Sequence, residues 1–376
     1  MTTGVVLVVP GGIDDETAPS GGNVYDRRIR DGLAATGLDV RQIAVAGAWP
    51  RPAEAARAEL ALSLDSVPDG AVVLVDGLLA CGVPEVVVPR AARLRLAVLV
   101  HMPLADDVGL SGDVAAELDR CERKTLAAAA AVVATSTATA RRLAARHGLG
   151  AVEVVPPGAD RAPLAAGSAT GGGLLWGSAP TPPDGEGPVP LVLCVGSLSP
   201  LKGQDVLIDA LARLADLTWH CRCVGPSRDP RFVADLHGRI ERLGLTGRTE
   251  VVGAHTWEQV GEMYAACDLV VLPSRAESYG MVVTEALARG IPVVGSGVGG
   301  VPEALGDTSA GRPGLLVAPD DSAELAVALR GWLTDAALRH QLRAAARLRR
   351  DSLERWPVAA RRMADVLRAP AGSTRE

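Results

Sequence analysis

Short apolar runs rich in β-branched residues recur along the whole chain, and each is followed by a stretch of helical periodicity. In the first half the runs cover residues 5–9, 40–45, 71–75, 96–100, 132–135 and 152–155. In the second half they cover 191–195, 220–224, 250–252, 269–272, 291–294 and 315–317. Their apolarity is continuous and does not alternate, which marks strands covered on both faces, as in a parallel sheet between helical layers. Strand and helix alternate in both halves, so each half predicts a doubly wound α/β unit.

At 376 residues the chain is too long for one ordinary core, which fits the two halves of the pattern. Between them lies a stretch with Gly171, Gly172, Gly173, Pro180, Pro182, Pro183, Gly185, Gly187 and Pro188, too poor in large apolar side chains to order itself. It predicts a first domain over 1–165, a linker over 166–190, a second domain over 191–350, and a C-terminal helix and tail over 351–376. The tail pattern predicts helices over 322–333, 336–350 and roughly 358–367, with Pro357 at the start of the last.

Composition narrows the classes. A 48% hydrophobic and 22% charged chain is a soluble globular protein, not a disordered one. The formal net charge of −6 argues against a nucleic-acid partner. Arginines cluster late in the chain (Arg343, Arg347, Arg349, Arg350, Arg361, Arg362) and read as a solvated helix face in preference to a membrane or polyanion contact. The six cysteines form no C-x-x-C pair and no Cys/His cluster of zinc spacing, so they read as reduced core thiols of a cytoplasmic protein. The opening MTTGVVLVVPGG reads as a buried strand and not a signal peptide, and no run approaches the ~20 apolar residues of a membrane span.

In open α/β sheets, ligands bind beyond the carboxyl ends of the strands, so the loops after the strands carry the chemistry. After residues 269–272 comes Pro273-Ser274-Arg275-Ala276-Glu277-Ser278-Tyr279-Gly280-Met281-Val282, followed by Glu285 inside a helix that ends at Gly290. The amides of Gly280, Met281 and Val282 then stand free at a helix start and form a receptor for phosphate, with Gly280 allowing close approach. The chain has only two lysines, Lys124 and Lys202. Lys202 follows the first strand of the second half, where a compact ammonium suits a diphosphate.

The 277–285 segment resembles the E-x7-E motif of family 4 retaining glycosyltransferases with the GT-B fold. The resemblance extends along nearly the whole chain. It includes Ser20-Gly21-Gly22-Asn23, Val155-Pro156-Pro157-Gly158-Ala159-Asp160, Val195-Gly196-Ser197-Leu198 with Lys202-Gly203, and Gly299-Gly300-Val301-Pro302-Glu303. It implies two Rossmann-like domains facing a central cleft, with a C-terminal helix crossing back to the first. It also implies transfer from a nucleoside diphosphate sugar, UDP- or GDP-linked, to a small-molecule, glycan or lipid acceptor, with no metal and no other cofactor. A cytoplasmic enzyme, peripheral at the membrane or free of it, fits that picture.

By the same resemblance Glu277 lies against the donor sugar and Glu285 holds the ribose. Gly225, Val252 and Gly253 surround the base. Lys202 and the amides of Gly280, Met281 and Val282 meet the phosphates, and Gly196, Ser197, Ser278 and Tyr279 belong to the same donor site. Gly21 and Gly22, with Asn23 in the donor site, form a flexible loop before a helix that starts near Val24 and cap the donor phosphates or the acceptor, and His101 reaches the sugar or the reacting centre. The arginine that relatives carry at the position of Ser197 or of Leu201 is missing, and Arg275 or a first-domain arginine is the candidate substitute.

Two other patterns compete. Gly295-Ser296-Gly297-Val298-Gly299-Gly300, with Asp320 some twenty residues on, mimics a dinucleotide fingerprint, but it follows the fifth strand of its half and not the opening one. No Walker-type G-x-x-x-x-G-K run and no Asp-x-Asp occurs, which disfavours an NTPase and a metal-held diphosphate. An epimerase, a phosphorylase or a donor-binding pseudoenzyme would share the same donor machinery.

Overall fold

A computed structural model of the chain describes residues 4–15, 20–107, 109–168, 188–227 and 229–369. The chain divides into two units. The first is built from the described residues of 1–15, 20–158 and 354–376, the second from those of 159–353.

The first unit holds a six-stranded parallel sheet of β1 (Gly4–Pro10), β2 (Asp39–Val45), β3 (Val72–Asp76), β4 (Arg95–Val100), β5 (Ala131–Ala134) and β6 (Glu153–Val154). Its spatial order is β2-β1-β3-β4-β5-β6. The register sets Val8 beside Val75 and Val75 beside Val98, so fully buried valines run across the sheet. The order reverses direction between β1 and β3, and Asp76 closes β3 beside that point.

The second unit holds β7 (Leu191–Val195), β8 (His220–Val224), β9 (Thr249–Val252), β10 (Leu269–Leu272), β11 (Val293–Ser296) and β12 (Gly314–Val317), all parallel, in the order β12-β11-β10-β7-β8-β9. Two cores lie on its faces. Leu191, Leu193, Val270, Leu272 and Val293 enter one, while Val192, Cys194, Leu269, Val271 and Val294 enter the other. Alternate residues of one continuous apolar run therefore serve opposite faces, which is why the runs did not alternate. Here the strand order reverses between β7 and β10, the position at which such sheets open a crevice.

The twelve strands fall on the predicted runs. All six cysteines are free thiols, five of them buried. No helix among the described residues is long and apolar enough to cross a membrane.

Three expectations are corrected. The first domain was expected to run to residue 165, but the segment after Gly158 packs with the second unit. There the Ala165 amide donates to the Arg289 carbonyl at 2.9 Å and the Arg350 guanidinium donates to the Ala162 carbonyl at 2.9 Å. Most of the expected linker lies outside the described residues. The boundary at 350 falls inside the helix Ala336–Ser352. The helix Trp356–Arg368 belongs to the first unit, as the resemblance implied: it packs on Gly21–Ala35, and Arg95 donates to the carbonyls of Leu367 and Ala369. Finally, the late arginines are not simply a solvated face. Arg343, Arg349 and Arg350 donate to the carbonyls of Ala165, Leu305 and Ala288, tying their helix to its own unit.

Candidate functional site

In the second unit the loops after β7, β8, β9 and β10 carry the predicted residues. A tight turn, Pro200–Lys202, precedes the helix Gln204–Ala212 and lays the Lys202 stem along Gly196. The Lys202 Nζ donates to Glu277 Oε1 at 2.5 Å, and the same oxygen accepts from Ser274 Oγ at 2.9 Å. Lys202 follows β7 and Glu277 follows β10, so this pair bridges the reversal in strand order. The Glu277 side chain is only 9% exposed, and a carboxylate so desolvated needs its cation.

Gly299 explains the glycine run. At φ +51°, a Cβ there would lie 1.6 Å from the Glu277 carbonyl oxygen, and the Gly300 amide points at that oxygen from 3.4 Å. The run thus packs the next loop against Glu277, which accounts for the glycines without a dinucleotide.

Gly280 has φ +89° and caps the short helix Met281–Leu287, so the chain turns into the helix in a conformation other residues resist. Glu285 on that helix accepts from the Tyr264 hydroxyl at 2.9 Å. Arg289 stacks over the Tyr264 ring, 4.7 Å from its centroid, and donates to the Glu285 carbonyl at 2.9 Å. Desolvation pushes the Glu285 carboxyl above its ordinary range, and burial together with Glu285 pushes the Tyr264 hydroxyl well up.

Gly225 packs against Gly196, and its amide points at the Gly253 carbonyl at 3.3 Å, so the ends of β7, β8 and β9 form one continuous rim that includes Val252. Ser197 lies on that rim and Ser278 in the loop beside Glu277. Tyr279 departs from expectation: its side chain is buried in the core with Val283 and Val301, and Met281 and Val282 pack on the same core. Arg275 departs further. It grips Asp205 through two bonds of 3.0 and 2.8 Å and Asp320 at 2.6 Å, and also donates to the Pro200 carbonyl. With its fork already filled, it does not replace the missing arginine.

In the first unit the expected flexible glycine loop is the first turn of the helix Gly21–Ala35. Ser20 caps it by accepting from the Asn23 amide at 3.1 Å, which starts the helix ahead of Val24. Gly22 lies against the ring of His101, which follows β4. The His101 Nε2 is 3.0 Å from Asp26 Oδ1 and 3.9 Å from Asp76 Oδ2, with the Tyr25 ring edge-on at 5.2 Å. Both carboxylates are buried, and Asp76 Oδ1 also accepts from the Leu78 amide at 2.7 Å. The carboxylate pair, with Asp26 leading, outweighs desolvation and raises the His101 imidazole to about 9; burial and Asp26 raise Asp76 to about 7.

Residues 184–349 match the family model described as Glycosyl transferases group 1. The matched stretch falls within the second unit. The chain is 35% identical over 225 residues to a D-inositol 3-phosphate glycosyltransferase of Nocardia farcinica, covering 57% of this chain and 47% of that protein. It is 33% identical over 250 residues to one of Xylanimonas cellulosilytica, covering 65% and 58%. The chain thus spans about half the length of the curated relatives it matches. Among solved structures, sucrose-phosphate synthase of Thermosynechococcus elongatus superposes with a TM-score of 0.77 at 22% identity, over 97% of this chain and 98% of that one. HepE of Anabaena, in complex with UDP and glucose, gives 0.73 at 21% identity, over 97% and 99%. This likeness shows the fold, which is GT-B.

Within the matched stretch, sequence reasoning missed Ser274 and Tyr264, the neutral donors on the two glutamates. Ser274 was visible in the motif; Tyr264 arrives from a different helix and leaves no local trace. Outside that stretch it missed Asp26 and Asp76. Asp26 was legible as a carboxylate at the core-facing spacing of Ile29 and Leu33, a position that demands a partner.

Proposed function

We propose that the chain is a retaining glycosyltransferase of the GT4 kind, moving a sugar from a UDP- or GDP-linked donor to an acceptor without a divalent ion. The observation that carries this reading is the Lys202–Glu277 pair, spanning the carboxyl ends of β7 and β10 beside the Gly280 turn. Lys202 supplies the positive charge that a departing diphosphate needs, and the first-turn amides after Gly280 supply fixed donors. Glu277, held by Lys202 and Ser274 on Oε1, turns its other oxygen to sugar hydroxyls. Glu285 binds the ribose, and the Gly225–Gly253 rim receives the base. The matched HepE structure, in complex with UDP and glucose, supports such a donor. The relatives' name makes D-inositol 3-phosphate the first acceptor to try.

Thermal-shift screening against nucleotide sugars tests the donor: a ligand at 100 times its Kd stabilises by about 2.7 kcal/mol. Transfer to D-inositol 3-phosphate and to other polyol, glycan and lipid acceptors, followed by NMR with and without chelator, tests the rest. An α-linked product from an α-linked donor, formed equally with chelator, is expected. Inversion of configuration, or loss of turnover on chelation, overturns the mechanism.

A further inference from the structure

Two buried carboxylates and one imidazole are an unusual set to enclose in a single α/β unit. Asp26 comes from the core side of the helix Gly21–Ala35, Asp76 from the end of β3, and His101 from the end of β4. Three different elements aim ligating atoms to within 4.8 Å of one another. Asp26 and Asp76 are the charged groups that face the ring, and Tyr25 meets it edge-on. The Tyr25 hydroxyl is turned away and donates to the Val155 carbonyl at 2.8 Å, so it offers the trio no proton.

The hydrogen bonds are unequal. His101 Nε2 is committed to Asp26 Oδ1, while Asp26 Oδ2 is buried with no partner. The other ring nitrogen, Nδ1, makes no hydrogen bond among the described residues, on a side chain that keeps 20% of its exposure. Which imidazole nitrogen carries a proton follows from what its mate is bonded to. The Asp26 acceptor at Nε2 holds a proton there, and a negative pair so close favours a second proton on Nδ1.

We propose that Asp26 and Asp76 are positioning residues that hold His101 as an imidazolium with Nδ1–H turned outward, so that it meets the substrate as a hydrogen-bond donor and cation and not as a base. The unpartnered Asp26 oxygen is then satisfied by a proton shared with Asp76, which leaves the buried trio uncharged overall: one imidazolium, one carboxylate and one carboxylic acid. The high values of both His101 and Asp76 agree with that count. A general base would need the opposite arrangement, a neutral ring with a lone pair facing out. The assignment rests on the glycosyltransferase reading for its use, but not for its protonation state.

The test therefore has two arms. Ring-carbon NMR of the full chain, with the His101 signal assigned from its loss in His101→Gln, should show an imidazolium through pH 8. In Asp26→Asn the ring should titrate lower by at least about one pH unit. Titration of wild-type His101 at the ordinary ~6.5 overturns the proposal, whatever the enzyme does. So does tight binding of Zn2+ or Mn2+ that is lost in Asp26→Asn, because the trio would then be a cation site. In the second arm, transfer is followed against pH. Wild-type turnover should fall on an alkaline limb near 9. Folded Asp26→Asn should lose roughly 10²-fold in kcat with little change in donor KM, and its alkaline limb should move down; Asp26→Glu should restore part of both. Unmoved limbs in folded Asp26→Asn and Asp76→Asn overturn the positioning role. If wild-type chain turns over no sugar nucleotide, the functional reading fails while the imidazole titration still decides this one.

Discussion

The carboxylates of the two units are balanced in different ways. In the second unit each acid has its own neutral or cationic donor: Glu277 has Lys202 and Ser274, and Glu285 has Tyr264. In the first unit two acids share one imidazole, and one carboxylate oxygen is left over. The Lys202–Glu277 contact is a direct ion pair. An imidazole changes charge near neutral pH, so the arrangement in the first unit depends on where its protons reside. The lesson is that the second unit gives each of these glutamates its own side-chain donor, whereas the first unit leaves its charge to be set by protonation.

The largest effect that can break this contrast is at Lys202. Lys202→Ala removes the cation and leaves Glu277 desolvated and unpaired; turnover should drop by about 10²–10³ and donor binding should weaken. Steady-state kinetics with a sugar nucleotide check it, and unchanged kinetics in a folded variant would end the phosphate role of Lys202. Next comes Glu277→Gln, which keeps the shape but not the charge. It should cost about 10² in kcat while leaving nucleotide affinity nearly as before, measured by single-turnover rates beside nucleotide titration.

The third prediction concerns pH. His101 has a folded value of about 9 against ~6.5 unfolded. The fold therefore holds this proton more tightly than the unfolded chain does. That stabilisation is complete below ~6.5 and is lost as pH rises through about 9. Asp76, raised to about 7, acts with the same sign between its unfolded ~3.9 and 7. Melting of the first unit should weaken from pH 6 to 9 by an amount on the order of 2 kcal/mol, and His101→Gln should flatten the curve. A wild-type melt that is level across that window would remove the contrast between the units.

The smallest effect sharpens it. Tyr264→Phe deletes one neutral donor from Glu285 and should weaken nucleotide binding by roughly 1 kcal/mol, about fivefold. Calorimetry should show less loss for a 2′,3′-dideoxynucleotide, which offers Glu285 no ribose hydroxyl. Equal loss for both ligands would mean that Tyr264 supports the fold and not the contact.

The periodicity of apolar residues determined the twelve strands, the alternation with helices and the division into two parallel sheets, because burial on both faces writes itself into consecutive positions. The spacing of Glu277, Gly280 and Glu285 determined a strand end, a turn and a helix start for the same reason: all three are local events. Pairing was not local. Lys202 and Glu277 meet only because β7 and β10 are neighbours, Arg275 is withdrawn by Asp205 and Asp320, and Gly299 is shaped by a carbonyl 22 residues away. The Asp26–His101–Asp76 trio joins a helix and two strand ends separated by up to 75 positions, and the last helix joins a unit whose other residues end at 158. Such encounters depend on which elements lie side by side, a property of the sheet order that no single stretch of sequence carries.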